Sequence, residues 1–197
     1  MNAAERKITE ADILADVEYE ARRKALRAQA IATKKNRRVE VGPFATFHFE
    51  NYETMWLQVQ EMLRIEKGGR EQIAGELEAY NPLIPQGAEL IATLMLEIED
   101  PAQRERTLRT LGHIEDSVYL DLAGERIAAS PTEYEDRTTA DGKTSSVHWL
   151  RFSFTPAQIA KFRSGEGEAV LGFSHPSYRH MAAIPPAARE ELSKDFA

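Results

Sequence analysis

Cysteine is absent from this 197-residue chain. Disulfides, zinc–thiolate sites, Cys-ligated iron–sulfur clusters and thiol nucleophiles are thereby excluded. Any part in redox chemistry has to be played without thiols of its own. No apolar run approaches the roughly 20 residues that a membrane helix needs. The first residues, Met1 to Lys7, have no apolar stretch behind them of the kind a secretory signal carries. The expected location is therefore the cytoplasm, with no membrane span. Neither G-x-x-x-x-G-K-[ST] nor G-x-G-x-x-G occurs, which argues against the usual NTPase and dinucleotide modules. A G-x-S-x-G nucleophile elbow, an H-E-x-x-H zinc helix and a helical Glu-x-x-His di-iron motif are also missing.

What is present is an ordinary globular composition, 42% hydrophobic and 29% charged, so wholesale disorder is not expected. The length suits one domain. Net charge is −7, but it is unevenly spread. Residues 22–38 contain Arg22, Arg23, Lys24, Arg27, Lys34, Lys35, Arg37 and Arg38 and no acid, which leaves −15 on the remainder. Such asymmetry points to a charged contact surface.

Start and stop signals divide the chain. Thr9 with Asp12, and Ile8 with Ile13, resemble a capping box and a hydrophobic staple. A helical stretch from about Val17 to Lys35 either continues from there or starts afresh at Asp16. Its small side chains Ala21, Ala25, Ala28 and Ala32 predict an inner alanine seam. Val39, Val41, Gly42-Pro43 and Phe44–Glu50 read as a hairpin, with Phe47 and Phe49 on one face and His48 and Glu50 on the other. Asn51 caps a helix over about 52–67, and a second runs over 70–80 to Asn81-Pro82. From Ala88 the period changes. Residues 89–99 form a long strand, and Asp100-Pro101 opens a helix that closes near Gly112. Strands follow at 117–122, 125–129, 132–139 and 144–155, with Asp141-Gly142 as a hairpin turn. Thr155-Pro156-Ala157-Gln158 caps a short helix over 156–164, a strand covers 168–174, and a helix over 187–194 ends the tail.

Helices thus concentrate early and strands late. The expected fold is α+β, a helical N-terminal half packed against a largely antiparallel sheet formed mainly by the C-terminal half. The expected organisation is one domain over 1–197: a helical arm (1–36), a strand pair with two helices (37–87), an antiparallel sheet with two short helices (88–175) and a tail (176–197).

Two polar features carry functional readings. The first is His48 and Glu50 on one strand face, followed by Glu61 and Arg64 on the next helix. A histidine between carboxylates suits acid–base work or a ligand pocket, whereas charges on a helix ordinarily face water. No metal ligands are assigned, because the histidines (His48, His113, His148, His175 and His180) show no paired spacing on a helix. His148 shares a strand face with Leu150 and Phe152, which favours a hydrogen-bonded core histidine over a pocket floor. The second feature is the basic segment. Arg22, Arg23, Arg27, Lys34, Lys35, Arg37 and Arg38 are read as a partner surface, for an acidic protein or for self-association. Nucleic acid is the weaker reading, because the helix lacks interleaved aromatics and the rest of the chain is acidic.

A resemblance adds to this. Arg37-Arg38-Val39 with Val41-Gly42-Pro43, Phe49-Glu50-Asn51, Gln58, Gln60-Glu61-Met62-Leu63-Arg64 with Glu66, Tyr80-Asn81-Pro82-Leu83-Ile84-Pro85, and Ala92-Thr93-Leu94 with Glu97 resemble the bacterial domain-of-unknown-function family number 3501. The likeness runs from about Ile8 to Phe154 and is densest between Arg37 and Glu97. It implies no activity, cofactor or catalytic residue. It implies a setting, because such proteins are often encoded near rubrerythrin-like proteins and iron–sulfur oxidoreductase subunits. The expectation is an accessory or binding protein supporting a redox or peroxide-stress system. The alternative is a metal- or cofactor-binding enzyme using the His48–Glu50–Glu61 pocket.

Overall fold

A computed structural model describes residues 6–132 and 136–197. Eight strands form one sheet: β1 (Arg38–Val41), β2 (Ala45–Phe49), β3 (Glu89–Leu96), β4 (Val118–Leu122), β5 (Glu125–Pro131), β6 (Val147–Ser153), β7 (Ala169–Phe173) and β8 (Met181–Ala183). Their order is β1-β2-β3-β6-β5-β4-β7-β8, and every neighbouring pair is antiparallel. The helices are α1 (Asp16–Lys35), α2 (Tyr52–Glu66), α3 (Arg70–Tyr80), α4 (Pro101–Leu108), α5 (Pro156–Ser164) and α6 (Pro186–Leu192).

The sheet curls into a barrel-like form. Phe47 of β2 and Phe173 of β7 sit near opposite edges of the strand order, yet their ring centroids are 5.4 Å apart. At the seam, Tyr178 donates its hydroxyl hydrogen to the Val41 carbonyl at 2.7 Å. Gly42 makes this approach possible. Its φ is +74°, and a Cβ there would lie 2.5 Å from the Tyr178 oxygen.

Alternation along the strands decides what fills the interior. Phe47 and Phe49 of β2, Leu90, Ala92, Leu94 and Leu96 of β3, and Leu150 and Phe152 of β6 point into one buried core. One end is plugged by a cluster of Phe154, Phe162 and Phe196, with ring centroids 4.8–5.7 Å apart. Leu108, Leu111 and Ile114, from the end of α4 and the 3-10 turn Ile114–Ser117, join the same core. On the outer face of β3, Ile91 packs in a second core with Met55 and Val59 of α2 and with Ile8, Leu83 and Ile84.

The chain is therefore mixed α and β on a mainly antiparallel sheet, but helices and strands are not divided between its halves. β1, β2 and β3 all come from the first half and are built into the one sheet, and α5 and α6 follow residue 155. The tail also contributes β8, which pairs with β7. The described residues of the expected strand over 132–139 do not form one. Glu133–Glu135 lie outside the described residues, and Thr138 makes a single bridge to Thr144.

The alanine seam is also corrected. Ala21, Ala25, Ala28 and Ala32 are exposed. The face that meets α2 is instead Tyr19, Arg23, Leu26, Ala30 and Thr33, the same 3–4 spacing shifted by two residues to the opposite side of the helix. The reason is the partner. α2 presents Glu53, Trp56 and Glu61, which are met by the Thr33 hydroxyl, the Tyr19 ring and the Arg23 guanidinium. Small apolar residues offer nothing to those groups. Among the described residues, no helix is long and apolar enough to cross a membrane.

Candidate functional site

The strand–helix corner forms as its caps dictate. The Asn51 side chain accepts from the Thr54 amide at 3.0 Å, and the Thr54 hydroxyl accepts from the Asn51 amide at 3.0 Å. Glu50 just ahead of this cap is buried. Its carboxylate accepts from the hydroxyls of Thr54 (2.6 Å) and Thr93 (2.7 Å), so its charge is spent on joining α2 to β3. His48 lies opposite Thr93 in the ladder and is half-buried. Burial lowers its pKa, opposed by the nearby Glu50 and Glu97. Its Nε2 is buried without a hydrogen-bond partner.

Glu61 and Arg64 belong to a different contact. Glu61 receives both the Nε and an Nη of Arg23 at 2.8 Å, and the Tyr19 hydroxyl as well. The guanidinium holds its carboxyl down at about 2, while burial and Glu61 raise the Tyr19 pKa. Arg64 pairs with Glu20 of α1. His48 and Glu50 therefore stand at the root of α2, and Glu61 and Arg64 clamp α1 further along it. The proposed four-residue pocket does not assemble.

The basic segment also separates into two groups. Arg37 is 1% exposed. It donates to the carbonyls of Phe49 and Glu50 at 3.0 Å and pairs with Asp195. It ties β1 to the C-terminal segment and is removed from the partner surface. The physical reason is that β2 ends there with two carbonyls pointing inward, which need a donor. Arg38 pairs with Glu40, Arg22 with Glu18 and Arg23 with Glu61. Among the described residues, the exposed Lys24, Arg27, Lys34 and Lys35 have no ion pair.

A third polar group lies where α4 meets the loop before β6. His148 is the inward-facing residue that opens the buried face of β6, opposite Leu94. It is 1% exposed, with its Nε2 2.9 Å from the Ser145 carbonyl. Its Nδ1 is 3.4 Å from Oε2 of the buried Glu115, in a geometry that is not a hydrogen bond for either atom. Burial is the main cause of its lowered pKa. Glu115, His113 and Asp136 each offer a ligand atom within 4.8 Å of the others. The loop is pinned there. Thr138 accepts from the His113 amide at 2.9 Å, and the Thr144 amide donates to the Leu108 carbonyl at 3.1 Å. Gly112 is required for this closeness, since a Cβ would fall 2.9 Å from the Gly142 oxygen. His113 itself sits in the left-handed region at φ 56°, an uncommon conformation for a residue with a Cβ. The sequence reading of His148 as a buried histidine agrees with this placement, but Glu115 and Asp136 escaped it. Their neighbours in sequence are unremarkable, and Glu115 and Asp136 lie far apart along the chain.

Residues 7–196 match the family described as protein of unknown function (DUF3501), so the chain belongs to that family. The match takes in the tail as well as the segment in which the sequence motifs are densest. A crystal structure of a novel protein of unknown function from Burkholderia pseudomallei K96243 is similar to this chain. It is 36% identical, with a TM-score of 0.87 over 97% of this chain and 100% of that one. No curated protein matches.

Proposed function

We propose that this is a cytoplasmic accessory protein that binds an acidic protein partner through the outer face of α1. The observation that carries the reading is the mismatch between the length of α1 and its burial. Of its 20 residues, only Tyr19 and Ala30 are buried. Val17 is 84% exposed and Ile31 69%. With Ala21 and Ala28 they lie at 3–4 spacing along one stripe, on which Lys24 and Lys35 also fall and which Arg27 and Lys34 border on one side. A partly apolar stripe carrying these cations fits an acidic, partly apolar surface. Self-association is disfavoured by the four like charges that two such faces would bring together. The redox-stress setting implied by the sequence resemblance names the first partners to test: a purified rubrerythrin-like protein and an iron–sulfur oxidoreductase subunit from the same source.

The test is titration calorimetry with each of those proteins at low and high salt. Binding that weakens with salt, and that is lost when Lys24, Arg27, Lys34 and Lys35 are changed to Glu, supports the reading. Binding by neither protein at low salt, or binding untouched by the four substitutions, overturns it. Salt-dependent retention of a nucleic-acid duplex by the same four residues would replace it with the nucleic-acid reading. A dimer in light scattering that the four substitutions dissociate would replace it with self-association.

A further inference from the structure

We propose that His113, Glu115 and Asp136, backed by the buried His148, form a binding site for a first-row divalent transition metal such as Zn2+. The proton on the His148 ring is fixed by its backbone partner. A carbonyl oxygen can only accept, so the contact of Nε2 with the Ser145 carbonyl at 2.9 Å places the ring hydrogen on Nε2. In the neutral ring Nδ1 then carries a lone pair. That lone pair faces a carboxylate oxygen, Oε2 of Glu115, at 3.4 Å. Both atoms are buried, and neither has a hydrogen-bond partner among the described residues. Two acceptors facing each other out of water repel, and each loses its hydration. A cation bound by the Glu115 carboxylate offsets the charge that faces Nδ1 and turns this arrangement from a cost into a site.

The distances fit that role. The ligand atoms of His113, Glu115 and Asp136 lie within 4.8 Å of one another, near the separation of about 3.4 Å that bonds of about 2.1 Å to a tetrahedral metal require. The donor set is one imidazole and two carboxylates, which neutralises a divalent cation and leaves a fourth position for water. Imidazole selects a transition metal over calcium or magnesium, which take oxygen. His148 stands behind Glu115 as an outer-shell group, fixed by the hydrogen bond from its Nε2 to a backbone carbonyl. Glu115 and His148 form the dry inner wall. His113 and Asp136, 59% and 67% exposed, form the open side through which an ion enters. The strained backbone of His113 aims that ring at the cluster, an expense with no return in core packing.

None of these residues lies on α1, so this proposal and the docking reading fail separately. The test uses the full chain, freed of metal by chelator and dialysis, and titrated with Co2+ as a visible probe and with Zn2+ as competitor. One equivalent of Co2+ producing d–d absorption, displaced by Zn2+, is the expected result. Added Zn2+ should raise Tm in proportion to its logarithm above Kd. His113→Ala removes an exposed ligand without touching the core. It should weaken Co2+ binding at least about tenfold, a loss that outer-shell changes alone can reach. Glu115→Gln should abolish the spectrum, and His180→Ala should leave it unchanged. Absence of binding below millimolar Co2+, or equal binding by wild type, His113→Ala and Glu115→Gln, would overturn the proposal.

Discussion

Replacing Arg37 by Met should unsettle the fold far more than any partner contact. The guanidinium is 1% exposed and the Asp195 carboxylate 6%, and they form an ion pair across 158 residues of sequence. Methionine keeps most of the volume and removes the charge. Asp195 is then left buried without its cation, and the Phe49 and Glu50 carbonyls lose their donor. Breaking a buried pair from one side costs about 3–5 kcal/mol. For a chain of this size that is about 6–20 °C in Tm. The pH dependence makes the test specific. Burial raises the Asp195 pKa even with Arg37 opposing it, and without Arg37 the burial and the neighbouring Glu191 raise it further, with Arg6 still opposing them. An acid whose folded pKa exceeds its unfolded value binds its proton more tightly when folded. Stability from that group therefore increases as pH falls through the folded pKa, and levels off below the unfolded value near 3.9. The deficit of the Arg37→Met variant, measured against wild type by urea unfolding at each pH, should shrink between pH 7 and pH 5. Adding Asp195→Asn should recover part of the loss at pH 7. A deficit under about 1 kcal/mol, one that grows on acidification, or one that Asp195→Asn leaves unchanged would refute the reasoning.

Three other perturbations follow from the same contacts. Glu61 is held at about 2 by Arg23, so its contribution to docking α1 is full above about pH 4.5 and is lost as pH falls towards 2. Amide exchange in α1 should speed up in Glu61→Gln at neutral pH, and in wild type only on strong acidification. Phe47→Ala empties the layer shared with Phe173 and should cost about 3–5 kcal/mol in denaturant unfolding. His48 is kept neutral by burial, so its ring resonances should titrate below pH 6.5. Its unfolded form then takes up the proton first, and stability falls as pH drops through the unfolded value, a loss that His48→Gln should remove.

Local signals were legible from sequence, and contacts across the barrel were not. Asn51, Asp100 and Thr155 each cap the helix their sequence announces, because a cap needs only a side chain and an amide three residues away. Alternation correctly assigned Phe47 and Phe49 to one face because period two is a property of the strand itself. Closure was hidden. It depends on Gly42, Val41 and Tyr178 meeting from separate parts of the chain. α1 was recognised as a helix but turned the wrong way, because alanine marks an inner face only when the partner is apolar, and α2 offers carboxylates. Arg37 was read as part of a charged run, since nothing near it in sequence reveals Asp195. Glu50 and Glu61 were read as one pocket because sequence shows spacing along α2, whereas the threonines of one and the arginine of the other face different neighbours.

The histidine that opens β6 is the point where the rule of alternation meets its exception. Every neighbouring inward position on β3 and β6 is apolar: Leu94, Ala92, Leu150 and Phe152 fill the barrel. At His148 the same logic calls for another leucine or phenylalanine, and Glu115 at the rim needs only a hydrophobic plug. Replacing a buried polar pair by well-packed apolar groups is ordinarily neutral or stabilising. Core stability therefore does not explain the pair. Nor does ordinary hydrogen bonding, because Nε2 is satisfied by Ser145 and the facing atoms are not satisfied at all. Residues that break a local rule without a compensating gain in packing are where function is to be sought. Here the broken rule at His148 meets Glu115, and Glu115 in turn meets the exposed His113 and Asp136 and the left-handed backbone at His113. The proposed ion, held by Glu115 with those two, would give the buried pair the role that packing does not.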